Sequence, residues 1–267
     1  MLNRPDAGGT SGTGGPDETG GRGGTGGVSE PPSSLDAGSP PGVQLDALRA
    51  ALAHRYAFDG TGSVAFDSIG GSDATLIDTA LDGSGSLTLE GEGEYVDLPN
   101  GILSSNNDQT IEAWLTWNGG DAWQRIFDFG SSDAGEDERG NGRTYLFLTP
   151  RSSRGVLMLA YSATGYNGET RLSTDVAFPV GVQAHVTVVI DSPENSLSLY
   201  LDGRWLARQT LEQRLSELED VNCWLGLAQY QSDPGLNASL TEFRLYHRAL
   251  TSAEVELSHS LGPDGAL

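Results

Sequence analysis

The feature that most constrains the fold is a long series of short segments in which apolar and polar residues alternate. The series runs from His54 to His247, and Gly, Asp, Asn and Ser separate its members. Residues 110–118 (TIEAWLTWN) show the pattern most clearly. Successive side chains of a strand point to opposite faces, so about a dozen such segments predict an all-β sandwich or barrel.

Local signals set the expected bounds of these elements. The predicted strands are residues 54–59, 86–90, 94–98, 110–118, 125–129, 144–149, 156–161, 185–191, 196–202, 204–211, 224–228 and 239–247. The pair Asp202-Gly203 predicts a tight hairpin. A short helix is expected over residues 45–54, and a capping box of Thr251 and Glu254 predicts a C-terminal helix over 252–260. No repeat of about 20–50 residues indicates a solenoid or propeller.

Residues 1–44 differ from the rest of the chain. They are rich in Gly and Pro, and no aromatic residue occurs before Tyr56. Such a segment cannot bury enough apolar surface to offset the entropy lost on ordering, so we expect a disordered tail or linker. Residues 45–267 are long and apolar enough for one domain with its own core.

Charge and cysteine content exclude several classes of protein. The formal net charge is −22, and every basic residue is Arg. A surface this acidic repels phosphate backbones, which argues against nucleic-acid binding, and it favours divalent cations. The only cysteine, Cys223, lies in an apolar run and is expected to be a buried, inert thiol rather than half of a disulfide. We expect no transmembrane segment and a monomer.

The tail also bears on location. No apolar signal-peptide core follows Met1. However, a Gly/Ser/Thr/Pro segment ahead of a sandwich domain is typical of a tether that displays a module outside the cell. We therefore expect an extracellular or cell-envelope-tethered protein, with a start in this sequence that is either truncated or misassigned.

The order of motifs from residue 54 to residue 258 resembles the LamG-like jellyroll, in the concanavalin A-like lectin/glucanase superfamily. The segments that carry the resemblance include HRYAFDG (54–60), LTLEGEGEYVDLP (87–99), QTIEAWLTW (109–117), LSLYLDGRWLA (197–207) and the long C-terminal run 222–255. The resemblance implies two facing antiparallel sheets with a concave face and loop edges available for ligands. Such folds host lectins, adhesion modules, enzymes and structural domains, so the fold alone does not define the function.

The resemblance also implies a calcium ion near the junction of the first and last strands. The matching oxygen-bearing residues are Asp59, Asp67 and Glu242. Calcium takes several oxygen ligands, and the family pattern often has an acid at the position of Thr241 here. The alternative is that Asp59 and Asp67 cap turns.

Aromatic residues in loops are the candidates for sugar recognition, because their flat faces offer apolar area with little entropy to lose. We predict ligand binding by Trp123, Tyr166, Tyr230 and Asp233, the last of which precedes Pro234 in a turn. Trp117 and Tyr145 were the other aromatic candidates, and Trp117 is expected to lie in the core. Arg125 and Asp128 are expected to form a structural pair.

The sequence offers one weak hint of catalysis. Glu90, Glu92 and Glu94 alternate with glycines and superficially resemble the acidic strand of a glycoside hydrolase. Glycines between the acids predict a turn instead, so we assign no catalytic residue. The favoured function is a non-catalytic recognition module for a glycan or a cell-surface protein. The alternatives are a glycan-active hydrolase of the same fold, and a structural or protein-interaction domain without a small ligand.

Overall fold

The computed structural model describes residues 41–265 and 267. The predicted disordered tail therefore lies outside the described residues, apart from its last four, which begin the first helix. No helix in this described part of the chain has the length and apolar character needed to cross a bilayer.

Two helices and a series of short strands make up the described chain. The helices are α1 (Pro41–Ala51) and α2 (Ser252–Leu261). The strands are β1 (Leu52–Tyr56), β2 (Thr61–Gly62), β3 (Val64–Ala65), β4 (Ala74–Ile77), β5 (Leu81–Asp82), β6 (Leu87–Glu90), β7 (Tyr95–Leu98), β8 (Gln109–Trp117), β9 (Phe127–Ser132), β10 (Gly142–Thr149), β11 (Met158–Ser162), β12 (Thr170–Ser173), β13 (Gln183–Asp191), β14 (Ser196–Leu201), β15 (Arg204–Thr210), β16 (Asn222–Leu225) and β17 (Asn237–Tyr246).

Within the described residues the strands form two large antiparallel sheets. The seven-stranded sheet has the order β1-β17-β8-β13-β14-β15, with β6 also paired to β17. The eight-stranded sheet has the order β12-β11-β10-β9-β16-β7-β4-β3. Neighbouring strands in space are often far apart in sequence, as β1 and β17 are. This crossing of connections is the arrangement expected of a jellyroll.

The two sheets pack face to face around one core. Ile111, Leu245 and Phe243 from the seven-stranded sheet share this core with Phe129 and Leu146 from the eight-stranded sheet. The rings of Phe129 and Phe243 lie 6.3 Å apart across the interface. The predicted fold class, an antiparallel two-sheet sandwich with a short C-terminal helix, is confirmed.

Helices α1 and α2 cover the outer face of the seven-stranded sheet. Leu48 and Val255 from the helices form a second apolar cluster with Val189, Tyr200 and Tyr246 from the sheet. A fully buried carboxylate also lies beneath α2. The hydroxyls of Tyr246 and Ser258 donate to Oε2 of Glu112 at 2.9 and 2.7 Å.

Several local predictions are confirmed. Asp202 and Gly203, with φ values of 51° and 73°, form the turn between β14 and β15. The Thr251 side chain accepts from the Glu254 N–H, and the Glu254 side chain completes the capping box. Cys223 is buried.

The bounds at the start of the domain were wrong. The first strand spans Leu52–Tyr56, not residues 54–59, because the chain leaves the helix three residues earlier than the helical pattern indicated. Strands β4 and β12 were missed, since each has only four residues and little alternation. Strand β12 is one edge of the eight-stranded sheet and pairs with β11, whereas β4 lies next to the other edge and pairs with β7.

Candidate functional site

The outer face of the eight-stranded sheet carries a cluster of aromatic side chains. Alternation along β10 and β11 directs Leu146 and Leu159 into the core, and Tyr145, Phe147 and Ala160 to the opposite side. Tyr230, from the loop after β16, joins this outer cluster, and Trp123 packs against it. Tyr145 and Phe147 are fully buried and Tyr230 is nearly so, whereas Trp123 and Tyr166 are half-buried. We call these five side chains together the aromatic face.

Trp123 has an unusual backbone conformation. Its φ of 76° lies in the left-handed region, which is a genuine outlier for a bulky residue. Its N–H donates to the Arg151 carbonyl at 2.8 Å, and its own carbonyl accepts from Arg125 Nη1 at 2.5 Å. Such strained residues persist where the surroundings hold them, and they concentrate at functional sites. The backbone of the half-buried Trp123 is thus held by hydrogen bonds on both sides of the residue, and the Arg125 guanidinium lies 5.9 Å from the centre of its ring.

A buried charged group supports Trp123 from beneath. The fully buried guanidinium of Arg125 lies 2.5 Å from the Asp233 carboxylate and 3.3 Å from that of Asp128. It also lies 3.9 Å from the centre of the Phe147 ring. Burial raises the pKa of Asp128 to about 7, although Arg125 opposes the shift. The predicted structural pair of Arg125 and Asp128 is confirmed.

Asp233 was predicted to bind a ligand, and the structure places it below the aromatic face rather than on its rim. Its carboxylate is almost entirely buried and ion-paired with Arg125. A buried charge is stable only when it is paired, which explains this position. Asp233 therefore pairs with Arg125, which in turn donates to the Trp123 carbonyl, so Asp233 supports the aromatic face indirectly.

Hydrogen bonds and ring contacts connect Tyr166 to Tyr230. The Arg171 guanidinium lies 4.9 Å from the centre of the half-buried Tyr166 ring and pairs with Glu169. Glu169 accepts from the Tyr145 hydroxyl at 2.7 Å, and the Tyr230 hydroxyl lies 3.4 Å from that of Tyr145. Burial and the Glu169 carboxylate raise the pKa of Tyr145, so its hydroxyl stays protonated. The structure thus connects Tyr166 to Tyr230 through Arg171, Glu169 and Tyr145.

Arg139 is a contributor that sequence reasoning missed. It lies in the charged, Gly-rich segment between β9 and β10, whose composition is typical of a solvated loop. Its guanidinium donates to the carbonyls of Ala228, Tyr230 and Asp233. Arg139 therefore links this segment to the loop that carries Tyr230. The residues around Arg139 are acidic residues and glycines, so the local sequence gives no sign of this role.

The predicted calcium residues do not assemble into a cation site. Asp67 accepts from His54 Nδ1 at 2.7 Å and from the backbone N–H of Arg55 at 2.9 Å. It also accepts from the backbone N–H groups of three loop residues, Ile69, Gly70 and Ser72. These donors hold the pKa of Asp67 below its usual value, although burial opposes them. Its oxygens are therefore already saturated, as expected for a turn-capping carboxylate.

The other two predicted calcium ligands are Glu242 and Asp59. The buried Glu242 carboxylate lies 2.5 Å from Arg55 Nε and 2.6 Å from Arg244 Nε, while Asp59 is exposed. In residues 41–265 and 267, no three His, Cys, Asp or Glu side chains are grouped so as to hold a metal ion. The residues present do not fit calcium, and the predicted site gains no support from this geometry.

The three glutamates lie at a turn between the sheets. Glu90 ends β6 in the seven-stranded sheet, and Glu94 precedes β7 in the eight-stranded sheet. Glu94 accepts from the backbone N–H of Glu92 at 2.9 Å. Gly91 and Gly93 adopt positive φ values of 86° and 113°, which breaks the regular strand. The predicted turn is confirmed, and the three carboxylates do not share one strand face.

Comparison with known families decides the classification. A model of the concanavalin A-like lectin/glucanases superfamily, Laminin_G_3, matches residues 90–256. The chain belongs to this superfamily. The matched span contains every residue of the aromatic face, whereas β1 and the Asp67 loop precede it. A search of curated proteins gave no match.

Solved structures with a similar fold include two domains determined with a bound glycan. Domain 4 of an extracellular arabinanase from Geobacillus stearothermophilus, in complex with arabinotriose, has a TM-score of 0.61 and 21% identity. The alignment covers 77% of this chain and 96% of that one. The carbohydrate-binding module CBM40 of a Ruminococcus gnavus sialidase, bound to α2,3 sialyllactose, has a TM-score of 0.52 and 18% identity. It covers 64% of this chain and 95% of that module.

A larger enzyme also contains the fold. Trypanosoma rangeli sialidase has a TM-score of 0.59 and 18% identity, and the alignment covers 78% of this chain. This chain spans only 32% of that sialidase. At identities this low, the structural similarity shows a shared fold and nothing more.

Proposed function

We propose that the chain is a non-catalytic recognition module that binds a glycan on its aromatic face, outside the cell. The observation that carries this proposal is the half-buried Trp123 ring, held in a left-handed backbone conformation beside Tyr145, Phe147 and Tyr230. Aromatic rings offer flat apolar faces to sugar rings, and a fixed ring loses little entropy on binding. The membership of the superfamily and the glycan complexes of similar folds support the proposal.

The polar groups around the aromatic face suit hydroxyl-rich ligands. Arg171, whose side chain is 38% exposed, supplies N–H donors beside Tyr166, and the buried Glu169 carboxylate orients both Arg171 and Tyr145. A few convergent polar groups on a mostly apolar surface are typical of small-molecule sites. The partner in this proposal is a free or cell-surface glycan, and the acidic surface keeps the module soluble.

The test is a glycan array probed with the full chain, in the presence of calcium and again in excess chelator. We expect binding to a defined set of glycans, and we expect chelator to leave it unchanged because the predicted calcium residues are paired with other groups. An array without any binding would overturn the proposal and favour a structural or protein-interaction domain. Binding that chelator abolishes would establish a cation role that this geometry does not support.

The hydrolase alternative has its own test. Polysaccharides that the chain binds are incubated with it, and released reducing ends are measured for the parent and for the triple variant Glu90→Gln, Glu92→Gln, Glu94→Gln. We expect no release by either protein, because the three carboxylates lie at a turn and not on one strand face. Release by the parent that the triple variant loses would contradict the non-catalytic role.

A further inference from the structure

A groove lies between the β14–β15 hairpin and α2, on the outer side of the seven-stranded sheet. It is therefore on the opposite side of the sandwich from the aromatic face. Its volume is about 550 Å³, within the usual range for small-molecule sites. Asp202, Arg204, Trp205, Glu256 and His259 line it. We call it the hairpin–helix groove.

The walls of this groove are fixed by contacts within the domain. Gly203, at the hairpin tip, approaches His259 so closely that an added Cβ would lie 3.0 Å from the His259 Cβ. The Asp202 carboxylate accepts from the His185 N–H at 2.9 Å. The Tyr200 hydroxyl lies 3.1 Å from the Ser252 hydroxyl at the start of α2. A preformed groove of this kind loses little entropy when a ligand binds.

One wall is aromatic. Trp205 is half-buried, pairs with Tyr200 across the hairpin, and packs against the apolar cluster beneath α2 while it lines the groove. The other tryptophans outside the aromatic face, Trp114, Trp117 and Trp224, are buried. Trp205 is thus the indole that the domain presents on this side of the sandwich.

The polar groups of the groove are mixed in charge. Asp202 and Glu256 supply exposed carboxylate acceptors, and Arg204 supplies an exposed fork of N–H donors. Burial and the neighbouring His185 lower the pKa of His259, so its ring is neutral at neutral pH and both donates and accepts. Two carboxylates against one guanidinium disfavour an anionic ligand.

We propose that the hairpin–helix groove is a second sugar site, which takes one neutral hexopyranose unit. The apolar face of the sugar ring stacks on Trp205, and its vicinal hydroxyls donate to Asp202 and Glu256 and accept from Arg204. The site is independent of the aromatic face, so one domain engages two glycan units on opposite sides. Two sites of this kind raise the avidity for a surface that displays many sugars.

The experiment follows the indole N–H resonances of the full chain by NMR during titration with D-glucose, D-galactose or N-acetylglucosamine. The Trp205 resonance is assigned with Trp205→Phe. We expect at least one sugar to shift the Trp205 resonance in a saturable manner with a Kd of about 1–10 mM, as for other ligands of this size. A Trp205 resonance that none of the three sugars shifts would overturn the proposal.

Surface variants separate this site from the fold and from the aromatic face. Arg204→Ala and Glu256→Gln replace exposed side chains, so the fold should persist while sugar binding weakens about tenfold through the loss of a charged hydrogen bond. Arg154→Ala, at an arginine whose side chain is 66% exposed outside the groove, is the matched control and should leave the Kd unchanged. Unchanged binding in both groove variants would also refute the proposal. The Trp123 resonance and Trp123→Ala report on the aromatic face alone, so the two proposals fail separately.

Discussion

The outer faces of both sheets carry buried charged side chains, and the two sheets shield these charges from water in different ways. Both carry buried charges that alternation places on the side away from the core. On the seven-stranded sheet, α1 and α2 cover these charges, and Glu112, Arg244 and Ser258 form a closed network beneath α2. On the eight-stranded sheet, loops cover Arg125 and Asp128 but leave Trp123 half-buried. The comparison shows that the helices shield the charges of the seven-stranded sheet from water, whereas the loops over the eight-stranded sheet leave part of the Trp123 ring accessible.

The largest expected effect comes from breaking the helical side. Arg244→Ala removes the guanidinium that pairs with Glu242 at 2.6 Å and donates to the Pro263 carbonyl at 2.8 Å. The variant leaves the buried Glu242 paired with Arg55 alone and removes a cation from beside the buried Glu112. Breaking a buried ion pair costs about 3–5 kcal/mol, so the free energy of unfolding should fall by up to about that amount. Urea denaturation followed by tryptophan fluorescence measures this change. Arg154→Ala, at an exposed pair, should change it by less than about 0.5 kcal/mol, and an equal loss in both variants would contradict the assignment.

Overpacking of the aromatic face should have the next largest effect. Gly142→Ala would place a Cβ 2.8 Å from Tyr230 Cε2 and 2.9 Å from Tyr145 Cδ1. The rings must shift, which costs about 1–3 kcal/mol of unfolding free energy and displaces Tyr230. We expect a lower melting temperature together with weaker glycan binding. Gly155→Ala is the matched control for the clash. An added Cβ at residue 155 meets nothing within 4 Å, but φ there is 76°, so the variant introduces backbone strain alone. It should lower stability without affecting glycan binding.

The two sides should respond to pH with opposite signs. On the aromatic side, the folded-state pKa of Asp128 is raised from 3.8 to about 7. The folded state therefore binds this proton more tightly, so Asp128 contributes stability below its unfolded pKa and loses it as pH rises toward 7. Asp128→Asn should remove this contribution, and the stability of the variant relative to the parent should rise between pH 4 and pH 7. Denaturation curves across that range measure the change, and a constant difference would contradict the raised pKa.

His259, on the helical side, should give the smaller and opposite response. Its folded-state pKa is lowered from 6.5 by burial and by His185, whose ring stacks parallel to it at 5.4 Å. The neutral form favours the folded state, so stability is present above the unfolded pKa and is lost as pH falls below about 6.5. His259→Phe keeps a flat ring without a titrating group. Its melting temperature should fall less than that of the parent between pH 7 and pH 5, and an identical fall would exclude this role.

The sequence predicted the elements that depend on local pattern. Alternation identified the long central strands β8 and β13, and Thr251 with Glu254 identified the start of α2. Sequence reasoning also selected Trp123 and Tyr166 from Gly-rich turns. These features depend on a few neighbouring residues, so they are visible in the linear chain.

Features that depend on long-range contacts were not predictable. The burial of Asp233 requires Arg125, which is 108 residues earlier in the chain. The saturation of Asp67 depends on donors in β1 and in its own loop, and the pairing of Glu242 with Arg55 arises from the meeting of β1 and β17. The contacts of Arg139 with the carbonyls near Tyr230 arise in the same way. Whether a carboxylate caps a turn, pairs with arginine or faces a ligand is decided by tertiary packing.

The most direct test of the account is the contribution of the aromatic face to glycan affinity. Isothermal titration would compare the parent with Trp123→Ala and Tyr166→Ala, using the glycan that the parent binds most strongly on the array. Phe66→Ala, which removes a 63% exposed aromatic side chain outside this face, is the matched control. We predict a loss of about 10- to 100-fold for Trp123→Ala, a smaller loss for Tyr166→Ala, and no change for Phe66→Ala. Unchanged affinity in both aromatic-face variants would contradict the account.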